Sequence, residues 1–244
     1  MIAYRGFGAS RLALVGAAIL LTAGPALADD MFDVAFGVAV NSDYISRGIS
    51  QTEHKPAVSG YVEPSVGPVY GGIWASNVDF GSGQDTEIDF YAGIRPELGP
   101  VTLDLGYNRA TYASDPSLNA GEFYAKADVA ASDNVTIGAQ FYVGQEDPSA
   151  TYVEANADIT LPHGFGVSGA LGAVSNDNLP YTTWNAGIYY MPVEWAKLDL
   201  RYTSTSLSAS DCSGASYGTN GDECDSRVMV GLSIDTSLSA LKAK

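Results

Sequence analysis

The sequence predicts an all-β transmembrane barrel of about twelve antiparallel, up-and-down strands, and three observations carry that expectation. Large apolar residues alternate with small or polar ones along most of the chain. The connectors alternate as well, short then long. The composition is rich in Gly (27) and Tyr (15) while only 16% of residues are charged, which suits a barrel with aromatic girdles better than a compact enzyme. Successive strand side chains point to opposite faces, so this alternation gives one face for a hydrophobic medium and one for water. A soluble sandwich turns the apolar face inward and a membrane barrel turns it outward. The placement of charge does not choose between them, because a sandwich exposes the same polar face to water. Composition and the sorting of the connectors do.

Residues 1–28 read as a secretory signal peptide, leaving 29–244 as the barrel. Arg5 and Arg11 form the positive start, LALVGAAILL (12–21) the apolar centre, and Ala26-Leu27-Ala28 the cleavage site. The apolar centre is too short to span a bilayer as a helix. Removing it takes away two cations and no acid, so the net charge moves from −16 to −18. Such an acidic chain excludes nucleic acid as a partner, since phosphate binding needs clustered cations.

The first strand is the clearest. Phe32, Val34, Phe36, Val38 and Val40 share one parity, and Asp33, Ala35, Gly37, Ala39 and Asn41 the other. Residues 57–66 form a weaker second strand broken by Pro64. In the third, Tyr70, Trp74, Val78 and Phe80 are read as the lipid face, opposite Asn77 and Asp79, with Trp74 in the interfacial aromatic belt. The fourth to seventh strands place Ile88, Leu105, Phe123 and Ile137 with their same-parity neighbours on the lipid face. Five more follow around Ala155, Val167, Ala186, Leu200 and Val230. No segment sustains a helical period.

The connectors 67–68, 96–100, 132–134, 161–164 and 191–194 are short and often contain Pro. Those at 48–56, 81–85, 114–121, 145–150, 175–180 and 204–225 are mostly longer and polar. Short periplasmic turns and longer extracellular loops are the signature of outer-membrane barrels. One departure is at the end, where Ile234 is followed by DTSLSALKAK with no terminal aromatic residue. Either the last strand stops near Leu238 and a tail follows, or assembly uses another cue.

The stretches SDYISRGISQT (42–52), Pro56-Ala57, GGIWASNVDF (71–80) and EIDFYAGIRPELGPVTLDLGY (87–107) resemble the TorF-type porins of Gram-negative bacteria. The resemblance covers about the first third of the mature chain; beyond Tyr107 only the strand pattern agrees. It implies an outer-membrane barrel with a pore function, and it carries over no ligand site. Outer-membrane lipids, the barrel-assembly machinery and small solutes are the expected partners. No cofactor or metal is expected, and the sequence sets no oligomeric state.

The inward parity supplies the candidate pore-lining residues: Asp89, Asp104, Glu122, Lys126, Asp128, Glu154, Asp158, Asp199, Arg201 and Arg227. Acids outnumber cations among them, and a low-dielectric wall lined with one sign concentrates counter-ions. Two readings stay open. One is a narrow pore for passive diffusion of small hydrophilic solutes that prefers cations. The other is a non-conducting barrel with a structural role or a surface-binding role through its acidic loops. Arg47, at the top of strand one, is either a charge at a constriction or an ion-paired residue that holds loop one.

Cys212 and Cys224 bracket a Gly/Ser/Asn-rich segment in the longest loop. In an oxidising compartment a disulfide is the default. Enzyme chemistry lacks its parts. The two histidines, His54 and His163, fall at opposite barrel ends, and no G-x-S-x-G is present. A nucleophilic Ser needs a His within reach.

Overall fold

The computed structural model describes residues 32–81, 84–177, 179–214 and 221–242. The expected signal peptide, 1–28, lies outside them. Twelve strands form the barrel: β1 (Phe32–Asn41), β2 (Ala57–Val66), β3 (Val69–Asp79), β4 (Gln84–Ile94), β5 (Val101–Tyr112), β6 (Ala120–Ser132), β7 (Val135–Gly144), β8 (Thr151–Thr160), β9 (Phe165–Ser175), β10 (Tyr181–Val193), β11 (Ala196–Thr205) and β12 (Arg227–Ser237). Each pairs antiparallel with its neighbours in sequence. The ring closes where β1 meets β12, with Asn41 opposite Gly231 and Ala35 opposite Ser237. Closure leaves no sheet edge, so every strand can satisfy its backbone within lipid.

The outer surface is apolar. Phe32, Val38, Val40, Phe90, Phe123, Phe141, Leu171, Ile188 and Val228 all project from it. Aromatic pairs sit toward both rims: Phe165 against Tyr190 at 4.8 Å on one side, and Trp184 against Tyr202 at 5.2 Å on the other. Amphipathic rings favour the membrane–water interface. The connectors fall as the loop sorting predicts, with two-residue turns such as 67–68 at one end and the segments 42–56, 206–214 and 221–226 at the other.

The third strand reverses the sequence expectation. Val69 and Ile73 face lipid, whereas Tyr70, Trp74 and Val78 point inward, and Tyr70 and Val78 are buried. Trp74 is therefore not in the outer aromatic belt; it lies 5.5 Å from the ring of Tyr44 inside the barrel. The physical reason is a second hydrophobic surface. Segment 42–56 folds into the barrel and gives the inner wall apolar groups to pack against, so an apolar residue no longer marks the lipid side. Tyr44, Ala57, Val78, Ala110 and Tyr112 form one inner cluster, with Trp74, Phe80 and Leu118 against it.

β12 ends at Ser237, and a short helix, Leu238–Lys242, follows. The backbone N–H and hydroxyl of Ser239 donate to Asp33 at 3.0 and 2.6 Å, pinning the chain end beneath β1. The last strand thus stops one residue before Leu238.

Candidate functional site

The site is the mouth of the barrel and the loop that fills it. Segment 42–56 contains a miniature hairpin in which Ile45 and Ser46 pair with Ser50 and Ile49. Its two turn residues, Arg47 and Gly48, both have positive φ, 47° and 84°. A two-residue turn with both φ values positive continues the natural twist of a hairpin. Gly48 takes that conformation freely and Arg47 takes it at a cost, a form of strain that survives where surroundings over-determine it.

The surroundings do over-determine it. Nη1 and Nη2 of Arg47 donate to Oε1 and Oε2 of Glu122 on β6, both at 3.0 Å. The two side chains are 2% and 4% exposed. The guanidinium also lies over the rings of Tyr142 and Tyr152, at 5.0 and 4.6 Å. The hydroxyl of Tyr181 on β10 donates to the Arg47 carbonyl at 3.2 Å. Burial alone opposes the charge on Arg47, and Glu122 outweighs it, so the guanidinium is held above its ordinary value.

The rest of the loop is tied around the rim. The Asp79 N–H donates to the Gln51 carbonyl at 2.8 Å, and the Ser50 N–H to the Glu223 carbonyl at 2.9 Å. Asp43 accepts from the hydroxyls of Ser50 and Thr52 at 2.7 and 2.8 Å and from Arg227 at 2.9 Å. Burial is the largest influence on Asp43 and pushes its carboxyl up despite those donors. Ile49 packs in a cluster with Tyr124, Tyr142, Tyr152, Tyr181 and the two cysteines. Cys212 and Cys224 form the expected disulfide, with Cα atoms 6.0 Å apart. The bridge thus staples the described ends of the last long connector and packs against the tip of segment 42–56.

The sequence-derived lumen residues all lie on the inner face, though most are engaged. Asp104 accepts from the Tyr70 hydroxyl and from Arg95 at 3.4 Å. Glu154 accepts from Gln140 at 2.5 Å and from Tyr152. Asp158 accepts from Tyr189 at 2.8 Å. Arg201 donates twice to Asp199, at 3.1 and 3.0 Å, and also to Asn185 and Ser168. Lys126 lies 4.6 Å from the centre of the Tyr124 ring. Asp128 has no hydrogen-bond partner among the described residues, and Lys126 is the cation that acts on it. Arg47 is not a free constriction charge; it belongs to the loop and is paired.

Sequence reasoning missed several participants. Glu63 and Arg95 form an ion pair at 3.1 Å within the lumen. Glu63 shares the parity opposite Val62 and Val66, and that signal was legible. Arg95 sits just beyond β4 and reaches inward from a turn, which parity does not report. Glu87 is inward and buried. The inward tyrosines link strands far apart in sequence, as in the 2.6 Å contact between the Tyr70 and Tyr124 hydroxyls. Among the described residues no three His, Cys, Asp or Glu side chains are grouped to hold a metal ion.

This architecture is similar to that of solved porins. The KdgM porin in complex with disordered oligogalacturonate aligns with a TM-score of 0.56 at 9% identity, covering 83% of this chain and 98% of that one. A second KdgM porin structure gives 0.53 at 9% identity over the same shares. A membrane protein from work on in-meso crystallization gives 0.55 at 9% identity, covering 85% of this chain and 84% of that one. At such identities the likeness shows the fold, a porin-like barrel. That is the coarser part of the expected TorF-type resemblance. No curated protein matches the chain. The model of the bacterial family of unknown function Gcw_chp matches residues 25–231, most of the chain, and the chain belongs to that family.

Proposed function

We propose that this protein is a channel of the Gram-negative outer membrane that passes small hydrophilic solutes by diffusion, prefers cations, and is narrowed by its first outer loop. The carrying observation is the pairing of an acid-rich inner wall with a loop seated across the mouth by Arg47 and Glu122. One sign of charge on a low-dielectric wall gathers counter-ions of the other sign and repels its own. Oligogalacturonate, named with one KdgM structure, is a chain of carboxylate-bearing sugars. An acid-lined lumen disfavours such a polyanion, so the solutes proposed here are neutral or cationic.

The test is single-channel recording of the refolded protein in a planar bilayer under a KCl gradient. Discrete steps with a cation-selective reversal potential support the reading. Anion selectivity in a conducting barrel overturns the charge preference.

The density of contacts around loop 42–56 favours a second reading, a barrel that is closed at rest and acts structurally or through its acidic outer loops. A silent bilayer with confirmed insertion selects it.

A further inference from the structure

Asp89 on β4 is a buried carboxyl, 2% exposed, with no cation paired to it among the described residues. Its Oδ2 accepts one long bond from the Asn108 amide at 3.4 Å, and its Oδ1 has no hydrogen-bond partner among the described residues. Its electrostatic neighbours are two further acids, Glu87 two residues earlier on the same face and Glu122 on β6. The guanidinium of Arg47 in the mouth spends both terminal nitrogens on Glu122. An ionised carboxylate buried in this way is strongly unfavourable unless something neutralises it.

A second, independent feature points at the same spot. Tyr44, carried in by the loop, is 7% exposed, and its hydroxyl is buried with no hydrogen-bond partner among the described residues. Its ring clusters with Ala110 and Tyr112, the residues directly opposite Asp89 and Glu87 on β5. Trp74, which it also contacts, lies directly opposite Asp89 on β3. After burial itself, Glu87 and Asp89 are the groups that most strongly push the Tyr44 hydroxyl up.

We infer that Asp89, Glu87 and the Tyr44 hydroxyl form a binding site for a monovalent alkali cation beneath the loop. The donors are all oxygen, which suits a hard cation. Two carboxylates and a neutral hydroxyl are too few for a tightly held divalent ion, in keeping with the absence of a three-residue metal cluster among the described residues. A conducting pore needs sites that bind well enough to admit an ion and weakly enough to release it. This inference rests on the cation-preferring reading above and names the ion class and its stopping place.

Replacing Trp184 and Trp195 by Phe leaves Trp74 as the single reporter of the three tryptophans, 5.5 Å from Tyr44. The refolded barrel in detergent is titrated with KCl against N-methylglucamine chloride at fixed ionic strength and pH. A saturable change in Trp74 emission with K⁺ and none with the bulky cation is expected. Asp89→Asn should weaken it about tenfold or more, the scale of one lost charged contact. Tyr44→Phe keeps the ring and should weaken binding too, while Asp211→Asn on the exposed outer loop should leave it unchanged. No saturable response, equal responses to both cations, or a K⁺ response untouched by Asp89→Asn overturns the site. Heat-shifted gel migration confirms folding of each variant, and Tyr44→Phe carries the comparison if Asp89→Asn does not fold. The readout needs no current, so a barrel that binds K⁺ but does not conduct keeps this site and loses the channel reading.

Discussion

Arg47 and Glu122 meet across the mouth of the barrel through two parallel hydrogen bonds of 3.0 Å, joining a loop that leaves β1 to the wall at β6. Seventy-five residues separate them in sequence. The bidentate geometry fixes direction as well as distance, which a lysine in place of Arg47 would not do.

Breaking this pair should free the loop. Arg47→Ala leaves Glu122 buried without its cation, a change that typically destabilises by about 3–5 kcal/mol. Here it falls on loop docking, because the barrel ladder does not include Arg47. Higher or noisier single-channel conductance is expected in Arg47→Ala, with the barrel's heat-shifted migration retained. Glu122→Gln should act the same way, and the double variant should differ little from either single one. Wild-type conductance in all three would show that the loop does not narrow the path.

Gly48 makes a steric prediction. A Cβ at this position would lie 2.5 Å from both Thr183 Oγ1 and Thr205 Cγ2, and φ is +84°. Gly48→Val should therefore unseat the hairpin without touching a charge. Trypsin cleavage at Arg47, blocked while the guanidinium is buried, is the measurement. Continued resistance would place the seating energy elsewhere.

The disulfide should matter to the loops more than to the barrel. Cys212 and Cys224 are 12 apart in sequence, and closing a loop of that size is worth about 3 kcal/mol in the chain-entropy model. Reduction, or the Cys212→Ser/Cys224→Ser variant, should raise the rate of open events, since the staple packs against Ile49. The thermal transition of the barrel should move little. A large fall in that transition, with unchanged gating, would assign the bridge to the barrel instead.

Selectivity should respond most directly to Asp128. Asp104, Asp158 and Asp199 are held by Tyr70, Tyr189 and Arg201, whereas Asp128 has no hydrogen bond among the described residues. Asp128→Asn should lower the cation-to-anion permeability ratio by a factor of about two to five, because one charge in a water-filled lumen contributes about 1 kcal/mol or less. Reversal potentials under a KCl gradient measure it, and an unchanged ratio would remove Asp128 from the conducting path.

Glu146 gives a pH dependence with a definite sign. In the loop between β7 and β8 its carboxylate accepts from the Gly121 N–H at 2.9 Å and pairs with Arg109. Partial burial raises its pKa, and these donors together outweigh that, leaving it below the ordinary 4.5. A depressed acid stabilises the attachment of this β7–β8 connector to Gly121 and Arg109 fully above pH 4.5 and loses that contribution as pH falls through the lowered value. The pair is partly exposed, so the effect is about 1 kcal/mol or less. The Gly121 amide resonance should titrate in this acid range and cease to do so in Glu146→Gln.

Much of the barrel was legible in the chain because lipid and water impose opposite demands on alternate residues. Phe36, Leu105, Ile137 and Ile188 announce the lipid face, and Asp104, Asp158 and Arg201 the inner one. Pro-bearing turns against longer polar loops announced that the two ends differ, and the alternating segments announced twelve strands. The cysteine pair followed from the oxidising compartment that the sequence implies.

What only the tertiary structure decided is where the first outer loop goes. Its residues carry no alternation that distinguishes a loop in solvent from one folded inward. Seating depends on Glu122, Tyr142, Tyr152 and Tyr181, which come from three later hairpins. That inward fold also inverted the reading of β3. Once a protein surface lines the lumen, Tyr70, Trp74 and Val78 can be apolar or aromatic and still face inward. Parity reports the medium each side chain meets, and the medium inside the mouth is made of chain that closes over it only in three dimensions.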